Sequence, residues 1–182
     1  MLQCWNLLHG AVSEVSPIPT TSNIDPMKSS KFLLLSVAVA CVALLGVALY
    51  LQIVEEMAPC PLCIIQRYCF AAIAIICVIF ALLPAAAARI GTGLGLLGAL
   101  GGVGTAGWHL WVQAHPGTSC GIDPLETPLN TIATAKWFPL LFQADGLCSM
   151  QYPFLGLAIP KWSLICFVLL ALLLARRFFK RS

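Results

Sequence analysis

Four long apolar stretches organise the chain: 32–51, 64–83, 92–112 and 162–178. Their only Lys, Arg, Asp or Glu side chains are Arg67, near the start of the second, and Arg176 and Arg177, at the end of the fourth. Each stretch is apolar around its whole circumference rather than along one stripe, the pattern of a helix surrounded by lipid or by other helices. Crossing about 30 Å of hydrocarbon at about 1.5 Å per residue takes about 20 residues, so each stretch is long enough to span a bilayer. The expected architecture is all-α: a bundle of four transmembrane helices, with connections at about 52–63 and 113–161 on one side of the membrane. Four spans leave too little chain for a separate soluble domain, so 27–182 is expected to form a single domain.

Composition agrees with this pattern. Of 182 residues, 60% are hydrophobic and 9% charged, with a mean hydropathy of +0.93, far from a soluble globular domain. The net charge of +3 does not point to nucleic acid, because the basic residues flank the spans instead of clustering. Lys28 and Lys31 precede the first span, Arg89 separates the second from the third, and Arg176, Arg177, Lys180 and Arg181 close the fourth. Under the positive-inside rule these seven mark the cytoplasmic side and place both termini there. The opposite side receives Arg67, Lys136 and Lys161 with Glu55, Glu56, Asp123, Glu126 and Asp145.

Residues 1–26 are polar and rich in Ser, Thr and Pro, and are expected to be a disordered extension. Met27 is a second candidate start. The basic Met27–Lys31 segment followed by an apolar run resembles a cleavable leader, but the run is about twice a leader's usual length and three more spans follow, which favours a retained helix.

The nine cysteines sort by environment. Cys4 lies in the extension, while Cys41, Cys69, Cys77 and Cys166 fall inside apolar stretches, where a thiol behaves as a small hydrophobe. Cys60, Cys63, Cys120 and Cys148 all fall in segments expected on the outward side. If that compartment is oxidising, they are expected as disulfides. A Cys-x-x-Cys spacing alone is weak, since about 0.4 such matches arise by chance at this cysteine content. Position supplies the specificity: Cys60-Pro61-Leu62-Cys63 sits at the mouth of the second span, with Cys63 at or just before the first helical turn. Unpaired N–H groups and the positive end of the helix dipole stabilise a thiolate there.

Arg67 follows Cys63 by four residues, one turn along the same face, and its guanidinium could stabilise that thiolate or an acceptor's oxyanion. The plainer alternative is an arginine reaching for lipid headgroups. The third span carries Gly91, Gly93, Gly95, Gly98, Gly101, Gly102, Gly104 and Gly107. The pairs Gly91/Gly95 and Gly98/Gly102 are small-xxx-small spacings that let helices pack closely. Near its end, Trp108-His109-Leu110-Trp111 offers an imidazole able to donate a hydrogen bond or move a proton, or simply a His within an interfacial tryptophan belt. His115 reads as an ordinary loop residue.

A Cys120–Cys148 bridge would close a loop of 29 residues and stabilise the fold by roughly 3 to 4 kcal/mol, so a structural disulfide competes with a redox one. A second outward pair argues for exchange, since one disulfide must reach another. Between them, Lys136–Phe142 is apolar but too short to span, and is expected to lie on the membrane surface.

Taken together, Pro59-Cys60-Pro61-Leu62-Cys63 with Arg67, His109, Cys120, Cys148, Trp137, Phe154-Leu155-Gly156-Leu157 and Pro160-Lys161-Trp162 resemble the DsbB family of bacterial disulfide bond formation proteins, over Lys31 to the C-terminus. The resemblance implies an inner-membrane thiol:quinone oxidoreductase that reoxidises a periplasmic thioredoxin-fold dithiol protein of the DsbA type. It implies that a quinone, ubiquinone or menaquinone, accepts electrons from Cys60 and Cys63. Arg67 and His109 match the quinone-site positions, with Cys63 nearest the ring. Cys120 matches the residue that forms the mixed disulfide with the partner, and Cys148 its resolving cysteine. The family often carries an acidic residue where Gln66 stands, and residues 1–26 have no counterpart.

Three other readings compete with this one. A reductase of the vitamin K epoxide reductase type also couples cysteine pairs to quinones, but the motif order and the Cys120–Cys148 loop favour the first reading. A metal-handling protein would need Cys60, Cys63, Cys69 and Cys77 as soft ligands, yet Cys69 and Cys77 lie roughly 9 and 21 Å along the helix from Cys63. A structural tetraspan with two inert disulfides would capture no partner.

Overall fold

The computed structural model describes residues 26–84, 87–115, 125–149 and 153–180. Cys4, the expected extension up to residue 25, and Cys120 lie outside them. Four helices are long and apolar enough to cross a membrane: α1 (Pro26–Val54), α2 (Pro61–Leu82), α3 (Ala88–Ala114) and, after the long connection, α7 (Ile159–Lys180). The chain is a four-helix, multi-pass membrane protein. Each helix overruns its apolar stretch at one end or both. The stretch marks what hydrocarbon requires, whereas the helix continues until a cap or a proline stops it. α1 therefore begins at Pro26, inside the expected extension, and α2 begins at Pro61, with Pro in its first turn and Cys60 as N-cap.

The helices pack in chain order, α1 on α2, α2 on α3 and α3 on α7. Leu34, Cys41, Ile73, Cys77, Ala99, Ala106, Phe167 and Leu174 are buried at the core, where Phe70 stacks on Phe167 with ring centroids 4.0 Å apart. Phe32, Val39, Leu97 and Leu169 instead face outward, as lipid contact allows. Glycine decides how close α3 comes to its neighbours. A Cβ on Gly98 would lie 2.9 Å from Ile73 of α2, and one on Gly102 would lie 2.6 Å from Cγ of Phe167 of α7. The expected small-xxx-small pairs thus face both partners, whereas Gly101, Gly104 and Gly107 meet nothing within 4 Å.

The connection between α3 and α7 is not bare loop. Among its described residues it holds three short helices, α4 (Glu126–Thr131), α5 (Ala133–Trp137) and α6 (Pro139–Phe142), and a small hairpin, β1 (Pro153–Phe154) with β2 (Leu157–Ala158). The hairpin turn needs positive φ at both central residues, and Leu155 (φ 50°) and Gly156 (φ 81°) supply it. Trp162 of α7 donates from its indole to Phe154 O at 3.0 Å, which ties the hairpin to the bundle. The segment expected on the membrane surface forms α5 and α6. It buries Ala135 and Phe142 against Ile64, stacks Phe142 on Tyr68, and leaves Trp137, Phe138 and Leu140 exposed, the division of faces that suits a headgroup boundary.

Candidate active site

Cys60 and Cys63 open α2 in a geometry that their spacing dictates. Residue N-cap and residue N3 of a helix face each other, so the Cys60 Sγ accepts the Cys63 N–H at 3.3 Å and stands 3.0 Å from the Cys63 Sγ. Both are thiols here. Cys60 is buried, while Cys63 is partly open on the wall of a cavity of about 250 Å³. Hydrogen bonds with Cys148 and with Cys63, helped by burial, push the Cys60 thiol above its ordinary value, so Cys60 retains its proton where a free cysteine would lose it.

α3 delivers His109, buried, with Nε2 3.6 Å from the Cys60 Sγ and Nδ1 3.5 Å from the side-chain nitrogen of Gln66. With the Gln66 amide donating to Nδ1, the other ring nitrogen carries the proton and points it at the Cys60 sulfur. Gln66 therefore holds the imidazole and cannot itself titrate.

Arg67 is also buried. Its Nη1 donates to Gln52 Oε1 at 2.8 Å and to Leu141 O at 3.0 Å, and its Nη2 to Ala48 O at 3.3 Å. The guanidinium is thus held between α1 and α6 by neutral oxygens. It lines the cavity that Cys63 and His109 also line, and the oxygens that hold it are uncharged.

Cys148 arrives from the far side. Asn130 clamps Ala144 through two hydrogen bonds, Nδ2 to Ala144 O at 2.8 Å and Ala144 N to Oδ1 at 2.9 Å. The next two amides, Asp145 N and Gly146 N, both donate to Pro59 O at 3.0 Å. These bonds strap residues 144–146 onto the turn before Cys60, and Gly146 lies against Ala58 O, where no Cβ would fit. Cys148 follows, buried, its Sγ within 4.8 Å of both the Cys60 Sγ and a His109 ring nitrogen. Cys60, Cys63, Cys148, Arg67 and His109 therefore converge at one end of the bundle. His115 stacks on Trp111 outside it.

Sequence reasoning passed over Gln52, Ser163 and the Asn130 clamp. Gln52 and Ser163 are polar side chains inside or beside apolar helices, and both line the cavity, a signal that was available. The clamp acts on backbone groups and leaves no such trace.

Residues 30–176 match the family described as Disulfide bond formation protein DsbB. The chain belongs to the DsbB family. A "Disulfide bond formation protein B" of Herminiimonas arsenicoxydans is 56% identical over 157 residues, covering 86% of this chain and 99% of the relative. One from Ralstonia nicotianae is 45% identical over 155 residues, with 85% and 97% covered. One from Cupriavidus metallidurans is 43% identical over 158 residues, with 85% and 96% covered. Membership carries a disulfide-forming oxidoreductase role.

Proposed function

We propose that this protein is a protein-dithiol:quinone oxidoreductase of the bacterial inner membrane. It reoxidises a periplasmic thioredoxin-fold dithiol protein of the DsbA type and passes the electrons through Cys120/Cys148 and Cys60/Cys63 to a quinone. The observation that carries this reading is the approach of the Cys148 sulfur to within 4.8 Å of the Cys60 sulfur. Two cysteine pairs that exchange must meet, and inert staples need not. Basic residues flanking the opposite end of the spans support an orientation with both termini cytoplasmic and the cysteines periplasmic.

The relay is a sequence of thiol–disulfide exchanges. A partner thiolate attacks Cys120 in the Cys120–Cys148 disulfide, forming a mixed disulfide and releasing Cys148 as thiolate. The partner's second thiolate resolves it, so the partner leaves oxidised. Cys148 then attacks Cys60 in the Cys60–Cys63 disulfide and Cys63 leaves as thiolate at the cavity wall. Attack by Cys120 on Cys148 restores the outer disulfide and leaves Cys60 and Cys63 as dithiol. His109 Nε2, beside Cys60, can deliver or take the proton of that sulfur. Arg67 offsets the negative charge that appears at Cys63.

An external oxidant is required on energetic grounds. The soluble oxidant that this family serves has an established potential of about −120 mV, while ordinary structural disulfides lie below about −300 mV. That gap of about 180 mV amounts to roughly 8 kcal/mol for two electrons, too much for a simple bridge to overcome. The cavity suits a quinone, whether ubiquinone or menaquinone. Its volume is near the lower end of small-molecule sites, roughly 300–1,000 Å³, and its walls are mostly apolar, with Arg67, His109 and Gln66 among them. Ser163 Oγ is buried there without a hydrogen-bond partner. When bound, a quinone accepts two electrons and two protons.

The test is capture of the partner. A thioredoxin-fold protein stripped of its second cysteine attacks and cannot resolve, so peptide mapping should find it linked to Cys120. Linkage at Cys60, or no linkage with any such partner, contradicts the proposed route.

A further inference from the structure

Three donor atoms from three separate elements converge where the strap meets the bundle: the Cys60 Sγ from the N-cap of α2, a ring nitrogen of His109 from α3, and the Cys148 Sγ. All three residues are buried and the atoms lie within 4.8 Å of one another. Thiolates with imidazole are the donors that soft and borderline divalent ions prefer. A tetrahedral zinc site, with Zn–S of about 2.3 Å and Zn–N of about 2.0–2.1 Å, places neighbouring donors roughly 3.4–3.8 Å apart. The 3.6 Å between the Cys60 Sγ and His109 Nε2 already falls in that interval. Closing the third corner asks only a small inward shift of Cys148.

We propose that the fully reduced protein binds one thiophilic divalent ion, zinc or cadmium, through Cys60, His109 and Cys148. This is not the set of Cys60, Cys63, Cys69 and Cys77 rejected from helical rise. It draws on one cysteine of the Cys-x-x-Cys pair, one from the distant strap, and a histidine. Binding transfers no electrons: two thiols give up two protons, the His109 ring proton passes from Nε2 to Nδ1 as the Gln66 amide turns so that Oε1 accepts it, and the dication takes both thiolates and the freed Nε2, leaving a neutral centre. Neutrality matters in a buried site, where a net charge would be costly. Cys60 and His109 also face the cavity, which supplies a path for entry and a position for a fourth ligand.

The site exists only while Cys60 and Cys148 are both thiols, so occupancy reports the reduced state. On the reading of Cys148 and Cys60 as exchange partners, the ion ties up both sulfurs and arrests the relay when reduced protein accumulates. That consequence rests on the proposed function, whereas the binding itself does not.

The test uses the full chain in detergent, reduced, freed of reductant under argon, and titrated with Cd²⁺ while the thiolate-to-metal absorption is followed. Zn²⁺ is then measured by competition with a coloured chelator. One ion per chain is expected for the wild type and for Cys63→Ser, with about two protons released per ion. Losing a group that merely orients a ligand weakens metal binding about 10- to 100-fold, so His109→Ala and Cys148→Ser, which remove ligands, should each weaken it by at least about 10-fold. Protein oxidised at its cysteines should bind none. Equal affinity in wild type, His109→Ala and Cys148→Ser overturns the site, as does loss of binding in Cys63→Ser, which would mark a simple Cys60–Cys63 chelate. One ion bound by wild type while dithiol-to-quinone turnover continues undiminished leaves the site standing and contradicts the relay reading instead.

Discussion

Gly146→Ala would place a methyl group against the Ala58 carbonyl oxygen, with the Ala58 and Pro59 carbonyl carbons 3.0 and 3.3 Å away. All three are backbone atoms, so no side chain can rotate to relieve the contact and the strap itself must lift. Lifting it breaks the hydrogen bonds from Asp145 N and Gly146 N to Pro59 O. At about 1 kcal/mol net for each bond, the docked strap loses about 2 kcal/mol, which lowers its population by up to roughly 30-fold. Exchange between Cys148 and Cys60 needs the docked state, so it should slow by a comparable factor. The assay starts from a Cys63→Ser background with Cys120–Cys148 oxidised and Cys60 reduced. Attack of Cys60 on Cys148 then gives a Cys60–Cys148 link and a free Cys120, followed by rapid alkylation and mass spectrometry. Gly101→Ala, at a position where a Cβ meets nothing within 4 Å, serves as the comparison and should leave the rate unchanged. A Gly146→Ala rate equal to that of its parent would refute the claim that the strap delivers Cys148.

Gly102→Ala drives a Cβ into the Phe167 ring and should cost about 1–3 kcal/mol by overpacking, seen as a lowered Tm in detergent and partly restored by Phe167→Leu. Arg67→Lys keeps a charge but cannot reproduce the fork that reaches Gln52, Leu141 and Ala48. It should weaken binding of a quinone analogue at least about tenfold, and equal affinity by equilibrium titration would remove Arg67 from the site. Because the Cys60 thiol is raised chiefly by its hydrogen bond with Cys148, and only the thiolate alkylates, iodoacetamide labelling of Cys60 in reduced protein should begin above the ordinary range near about pH 8.5. In Cys148→Ser it should begin at lower pH, and identical pH profiles would show that Cys148 does not hold that proton.

How much of this was legible beforehand differs between fold and site. Hydrocarbon thickness imposes a length on apolar stretches, so all four spans could be read, and only their ends shifted, by six residues at Pro26. The glycine spacing of α3 predicted close packing, and Gly98 and Gly102 meet Ile73 and Phe167. Position also put Cys60 at the mouth of the second span, Cys63 at or just before its first turn and Arg67 one turn further along, and the helix itself starts three residues before that span, at Pro61. The approach of Cys148 could not be read in the same way. It depends on Asn130 clamping Ala144 and on two amides sharing Pro59 O, and backbone groups are the same in every residue. Arg67 was expected beside Cys63 and does line the same cavity, but its hydrogen bonds go to oxygens of Gln52, Leu141 and Ala48, partners 15, 74 and 19 residues away. Gln66 reads from the sequence only as a position without an acid, and its role comes from His109 Nδ1, 43 residues away.

The central claim is that electrons cross from one cysteine pair to the other and on to a quinone. It is tested most directly by following quinone reduction by the purified protein supplied with a reduced thioredoxin-fold dithiol partner, comparing wild type with Cys63→Ser and Cys120→Ser. The account predicts turnover by the wild type and none by either variant. Turnover that survives the loss of Cys120 would make the long connection structural and reduce the protein to a one-pair reductase, and a wild type that reduces no quinone with any such partner would contradict the account altogether.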